Sequence, residues 1–109
     1  MRLTEGLAHP RACEIRGIAQ YLQGRFADSA ESFRRTVEVW PERASAWSMR
    51  GQALLALALA QGAEGQDPRP VLVEANHAHD EGVSRRPGDA QALTWRGVAA
   101  VTLGGAETA

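Results

Sequence analysis

The chain has 109 residues, 44% hydrophobic and 23% charged, with a net charge of −1, which suits one globular domain with a modest core. So even a charge balance argues against a nucleic-acid backbone or an anionic membrane surface as partner. The longest apolar run, Ala53 to Ala60, falls far short of the roughly 18 to 20 residues of a membrane span, and Met1 to Gly6 reads as no secretory signal because no apolar stretch follows Arg2.

In chain order, a first helix is expected from Pro10, carrying Cys13 and Arg16-Gly17 and ending at a Gly24 turn. In the second, Phe26, Ala30, Phe33, Val37 and Trp40 step by 4, 3, 4 and 3, the stripe of a helix with one buried face. Asp28 is its expected N-cap, with Glu31 three residues on. A third helix begins near Ala44 and is expected to reach Gln61. Gly62 to Pro70 then reads as a loop, with Asp67 capping a fourth helix and Pro68 at its first position. The fifth is expected from Ala90 to about Leu103, stopped by Gly104-Gly105. Leu93, Trp95, Val98, Val101 and Leu103 spread around it, more apolar surface than one buried face consumes.

Arg-Gly recurs at 16–17, 50–51 and 96–97, so the glycines are spaced by 34 and then 46 residues, the second interval being 12 longer. Pro41 and Pro87 each stand ten residues before the next of these glycines. This frame resembles the tetratricopeptide repeat, a helix A, a turn, a helix B and a Pro-marked turn. A first unit over 10–43 supplies Cys13, Gly17, Gly24, Phe26, Ser29, Phe33, Thr36 and Pro41 in the family's pattern. A second, 44–89, supplies Trp47, Gly51, Ala75, His79, Gly82 and Pro87, with a 12-residue insertion near 58–70. A half unit, 90–105, supplies Leu93 and Gly97. The resemblance implies an all-α fold, a short solenoid of about two and a half repeats and five main helices forming a single domain over 1–109. The chain departs from the family where Arg16, Arg50 and Arg96 replace a common Leu, and where His79 replaces an aromatic. At the start, Glu5-Gly6-Leu7 echoes Glu81-Gly82-Val83, as though the chain began in the tail of an earlier helix B.

A glycine inside a helix costs roughly 0.5–1 kcal/mol relative to alanine, so Gly17 and Gly51 require compensation by close packing. Gly17 is expected to face Ser29 and Thr36, and Gly51 to face Ala75 and Gly82. His79 is expected to fill the family's aromatic place in the hairpin core. The repeated Arg before each glycine is expected to form a ladder of contacts to carboxylates or carbonyls, since a lone charge near a helix junction is costly.

Little in the sequence points to catalysis or to a cofactor. His77 and His79 are two apart on a helix and point to nearly opposite sides, so they cannot share an ion; His77 and Glu81 read as a surface pair. Gly104-Gly105 is no phosphate cradle, and the serines have no evident His and Asp partners. Arg34-Arg35 and Arg85-Arg86, flanked by carboxylates, read as solvated faces. Cys13 has no second cysteine to pair with and reads as core filler in a reducing compartment, so the cytoplasm is expected. All twelve basic residues are Arg and the only Asn is Asn76, a bias expected of a GC-rich, bacterial genome.

The resemblance also implies which side chains face the concave groove of the A helices. They include Glu14, Ile18 and Tyr21 from the first unit, Met49, Gln52 and Leu55 from the second, and Trp95 and Val98 from the third. The family's carboxylate clamp is absent, since its places hold Glu14, Ile18, Met49, Gln91 and Trp95. The remaining surface suits an apolar or amphipathic peptide segment; the alternative is that part of it is core or covered by the chain itself. The expected role is therefore a protein-interaction scaffold without catalysis, cofactor, metal, nucleic acid or membrane. The competing role is self-association, as a homo-oligomerisation module of a larger bacterial protein.

Overall fold

A computed structural model describes residues 10–108; the echo at Glu5-Gly6-Leu7 lies outside them. The described residues form five α-helices and no strand. These are α1 (Pro10–Leu22), α2 (Phe26–Val39), α3 (Ala44–Ala63), α4 (Arg69–Arg85) and α5 (Ala90–Thr108). Each packs against the next in the chain, and α5 also touches α3. Short turns make α1/α2 and α3/α4 antiparallel hairpins, so the molecule is a short, all-helical solenoid similar to stacked tetratricopeptide hairpins.

The insertion is absorbed mainly as helix. α3 has 20 residues against 13 in α1, α4 has 17 against 14 in α2, and the second hairpin's turn is two residues longer. Those differences account for all twelve inserted residues. At 1.5 Å per residue, α3 overhangs the first hairpin by about 10 Å. Both turns carry a glycine at positive φ, Gly24 at 79° and Gly65 at 81°, the left-handed conformation that glycine adopts without steric cost.

Several expected helix ends differ. α2 begins at Phe26 with Arg25 at the N-cap position and no side-chain cap; Asp28 lies in the first turn, where it pairs with Arg25 at 2.7 Å. α3 continues past Gln61 to Ala63. Pro68 is the N-cap of α4 and Pro70 is inside its first turn, while Asp67 Oδ1 accepts from the Arg69 N–H at 3.1 Å, one residue before the capping position. α5 does not stop at Gly104-Gly105 but runs to Thr108. Neither glycine has the positive φ of a helix stop.

The core holds Ala30 and Phe33 of α2, Ala53, Leu54, Leu55 and Ala58 of α3, and Leu72, Ala75 and Ala78 of α4. Trp95 and Leu103 attach α5 to it. Between the paired helices the contact is ring against glycine rather than small against small. A Cβ on Gly17 would lie 2.9 Å from the Phe33 ring, and one on Gly51 would lie 2.7 Å from the His79 ring. Ser29 still contributes, donating its hydroxyl to the Gly17 carbonyl at 2.7 Å. Gly82 packs not on Gly51 but on the start of α3, where a Cβ would meet Ser48 Oγ at 2.5 Å.

Candidate functional site

The sequence-expected groove residues divide into those that line a hollow and those that do not. Ile18, Tyr21 and Leu22 of α1, Phe33 of α2, and Met49 and Gln52 of α3 enclose an apolar hollow of about 130 Å³. Phe33 forms its floor because Gly17 lets the ring approach α1. Tyr21 is set against Phe26, ring centroids 5.3 Å apart and edge to face. Around the mouth, Ile18 is 40% and Leu22 80% exposed, so the apolar surface continues outward from the hollow.

Glu14 and Leu55 stand apart from this surface. Leu55 is buried in the core. Glu14 is only 3% exposed and accepts from Arg43 Nε and Nη2 at 2.6 and 3.0 Å. This two-pronged pair joins α1 to the turn before α3, and the Glu14 carboxylate holds the Arg43 guanidinium above its ordinary pKa. Arg43 also lies over the Trp40 ring at 4.5 Å. The family resemblance implies a groove position for Glu14; it does not reveal a partner 29 residues on. On α5, Trp95 packs on the core and Val98 is exposed, and neither lines the hollow.

The arginines before the glycines differ in their surroundings. Arg16 is exposed. Arg50 reaches Glu74 at 3.4 Å, and its Nε is buried without a hydrogen-bond partner among the described residues. Burial lowers its pKa; Glu74 opposes the shift, Arg34 reinforces it and Glu31 opposes it. Arg96 pairs with Asp80 at 2.7 Å on the surface. Arg34 and Arg35 both pair with Glu31. Arg85 pairs with Glu81, donates to the Pro41 carbonyl and lies 4.8 Å from the Trp47 ring centroid, and the same carbonyl accepts from Trp47 Nε1 at 2.9 Å.

The two histidines have different settings. His77 is exposed, with Nε2 3.9 Å from Glu81. His79 is fully buried, and neither ring nitrogen has a hydrogen-bond partner among the described residues. Burial lowers its pKa, opposed by Asp80 and by the nearby Gly51 backbone. Among the described residues, no three His, Cys, Asp or Glu side chains converge as a metal site would require. Among the described residues, no helix is long and apolar enough to cross a membrane.

Two further hollows are larger. One, about 360 Å³, lies where α3 overhangs the first turn, between Gly24–Asp28 and Leu57, Gln61 and Gln66. The other, about 250 Å³, has a polar lining that includes Glu42, Arg43, Arg85 and Arg86. The first hollow is smaller than either, yet it alone of these three joins an apolar lining to an exposed aliphatic rim, the pattern of an anchor pocket.

The tetratricopeptide repeat family model matches residues 16–67, a little under half of the chain, covering the second half of α1 and all of α2 and α3. Repeats of this family generally mediate protein–protein interaction. A search of curated proteins finds no match.

Proposed function

We propose that the chain is a non-catalytic protein-interaction scaffold that takes an apolar or amphipathic peptide segment across α1 and α3. One apolar side chain of that segment enters the hollow between Ile18, Tyr21, Leu22, Phe33, Met49 and Gln52. The observation that carries this reading is the hollow itself, about 130 Å³. Its volume approaches the roughly 150 Å³ of a dry cavity that takes a benzene-sized guest. Met49 supplies a side chain that adapts to differently shaped anchors, and exposed Ile18 and Leu22 extend the contact.

The test is a peptide-display selection against the chain, followed by Ile18→Glu. Binding of the selected peptides should be lost while the helical circular dichroism is unchanged, because Ile18 is at the rim. Retained binding counts against the hollow as the site.

Self-association is the second reading, favoured by exposed Leu93, Val98 and Val101 on α5. Sedimentation across micromolar concentrations separates it from the first: a concentration-dependent dimer supports it, and a monomer throughout counts against it.

A further inference from the structure

The turn between α2 and α3 and the end of α4 meet at the polar hollow of about 250 Å³. The turn supplies Trp40, Glu42 and Arg43, the first residues of α3 supply Ala44 and Ser45, and the end of α4 supplies Arg85 and the following Arg86. None of these lines the apolar hollow between α1 and α3. Two of the three arginines are held in place by their surroundings. Arg43 spends Nε and Nη2 on the Glu14 carboxylate and lies over the Trp40 ring. Arg85 spends Nε on the Pro41 carbonyl and Nη1 on Glu81, and lies over the Trp47 ring. Arg43 Nη1 and Arg85 Nη2 are left without a hydrogen bond among the described residues. Arg86 is exposed, and its side chain makes no hydrogen bond or ion pair among them. Glu14 and Glu81 stand outside the lining, so three guanidiniums face one carboxylate, Glu42, an excess of two positive charges.

We propose that this hollow binds a phosphate monoester. The excess charge matches the roughly −1.5 to −2 that such a group carries near neutrality. Guanidiniums arriving from two separate segments suit a group with three terminal oxygens, whereas the two oxygens of a carboxylate are satisfied by one arginine fork. Ser45 adds a hydroxyl that makes no hydrogen bond among the described residues. The first N–H groups of α3 add further donors, since its N-cap residue Arg43 provides no side-chain cap. Arg43 and Arg85 are already fixed, so binding bears little cost of ordering them. The volume is nearly twice that of the apolar hollow, which leaves room for part of the esterified group beside the phosphate.

The full chain is titrated with inorganic phosphate, with a short end-blocked phosphoserine peptide, and with the same peptide carrying serine or glutamate instead. Amide shifts of Ala44 and Ser45 and the indole N–H of Trp40 report binding. Both phosphate probes should saturate these signals, and the serine and glutamate peptides should not. Tighter binding of the phosphopeptide assigns the monoester to a phosphorylated protein, and equal affinities assign it to a free small molecule. Arg86→Ala deletes a side chain without a structural partner, so the fold should persist while phosphate binding weakens about tenfold or more. Glu42→Gln removes the opposing charge and should tighten binding at least about twofold. Arg16→Ala, the same loss of charge on α1, should change nothing. The proposal is overturned if neither phosphate probe binds, if the glutamate peptide binds as tightly as the phosphopeptide, or if Arg86→Ala leaves binding unchanged. It is also overturned if Arg16→Ala weakens binding as much as Arg86→Ala, the mark of a diffuse attraction to the surface.

Discussion

Gly51 sits directly beneath the imidazole of His79: a Cβ on the glycine would lie 2.7 Å from ring atoms Cε1 and Nε2. That ring is fully buried and cannot swing aside. Gly51→Ala should therefore destabilise the chain by about 1–3 kcal/mol, despite the gain of up to about 1 kcal/mol in helix propensity. Gly97→Ala, which meets open space, should show only the propensity gain of about 0.5–1 kcal/mol. Urea unfolding of the two variants checks the contrast. A Gly51→Ala variant as stable as the parent would contradict the close contact.

His79 occupies the place that Phe33 occupies in the first hairpin, but it buries two ring nitrogens without hydrogen-bond partners among the described residues. Replacing an unsatisfied polar group by an apolar one of similar shape removes its desolvation cost. His79→Phe is expected to raise stability by about 1–2 kcal/mol. A loss of stability on thermal unfolding would mean that the imidazole nitrogens are satisfied in solution.

The same histidine gives stability a pH dependence near neutrality. Burial holds its folded pKa below the ordinary 6.5, so the unfolded chain takes up a proton first as the pH falls. The contribution is complete above 6.5 and declines from there downward through the folded pKa. Glu31, lowered from 4.5 to about 2 chiefly by its hydrogen bonds from Arg34, acts in a separate window: its contribution is present above 4.5 and is lost as the pH falls through about 2. Thermal melts between pH 7 and 5 should therefore show a decline in the parent that is flattened in His79→Phe. Parallel curves for the two proteins would rule out His79 as its source.

Arg43 is 30% exposed, whereas its partner Glu14 is nearly inaccessible. Removing the arginine strands a buried carboxylate. Arg43→Ala should cost about 1–3 kcal/mol, less than breaking a fully buried pair because solvent already reaches the guanidinium. Arg43→Lys should recover only part of this, since an ammonium cannot reproduce the two-pronged geometry. Chemical denaturation checks both, and full recovery by lysine would show that charge alone matters.

The sequence reveals the repeat because its punctuation is local. Gly24 is needed where φ is positive, and Pro41 and Pro87 stand where helices end, so the five helices are legible without knowledge of contacts. What faces what is less legible. Gly17 and Gly51 announce a close approach, but only three dimensions show rings filling the space rather than Ser29 or Ala75. Asp28 and Asp67 have the chemistry of caps; each instead pairs with a neighbouring arginine, Arg25 or Arg69. Gly104-Gly105 resembles a stop, yet α5 passes through it. In the groove, Ile18, Tyr21, Met49 and Gln52 come together around one hollow, whereas Glu14 is withdrawn by Arg43 and Leu55 by the core. Leu22 and Phe33 complete the hollow. Phe33 reads as part of a buried stripe and of the repeat's frame, because a core residue that also floors a pocket has no separate sequence signal.

The most direct test of the scaffold account is amide and methyl chemical-shift mapping on the chain, titrated with a peptide obtained by display selection. The account predicts saturable shifts concentrated on Ile18, Tyr21, Leu22, Met49 and Gln52, with the Met49 methyl among the most affected. Shifts confined to the arginine-rich helix surface around Arg34, Arg35 and Arg50, with the hollow unperturbed, would contradict it.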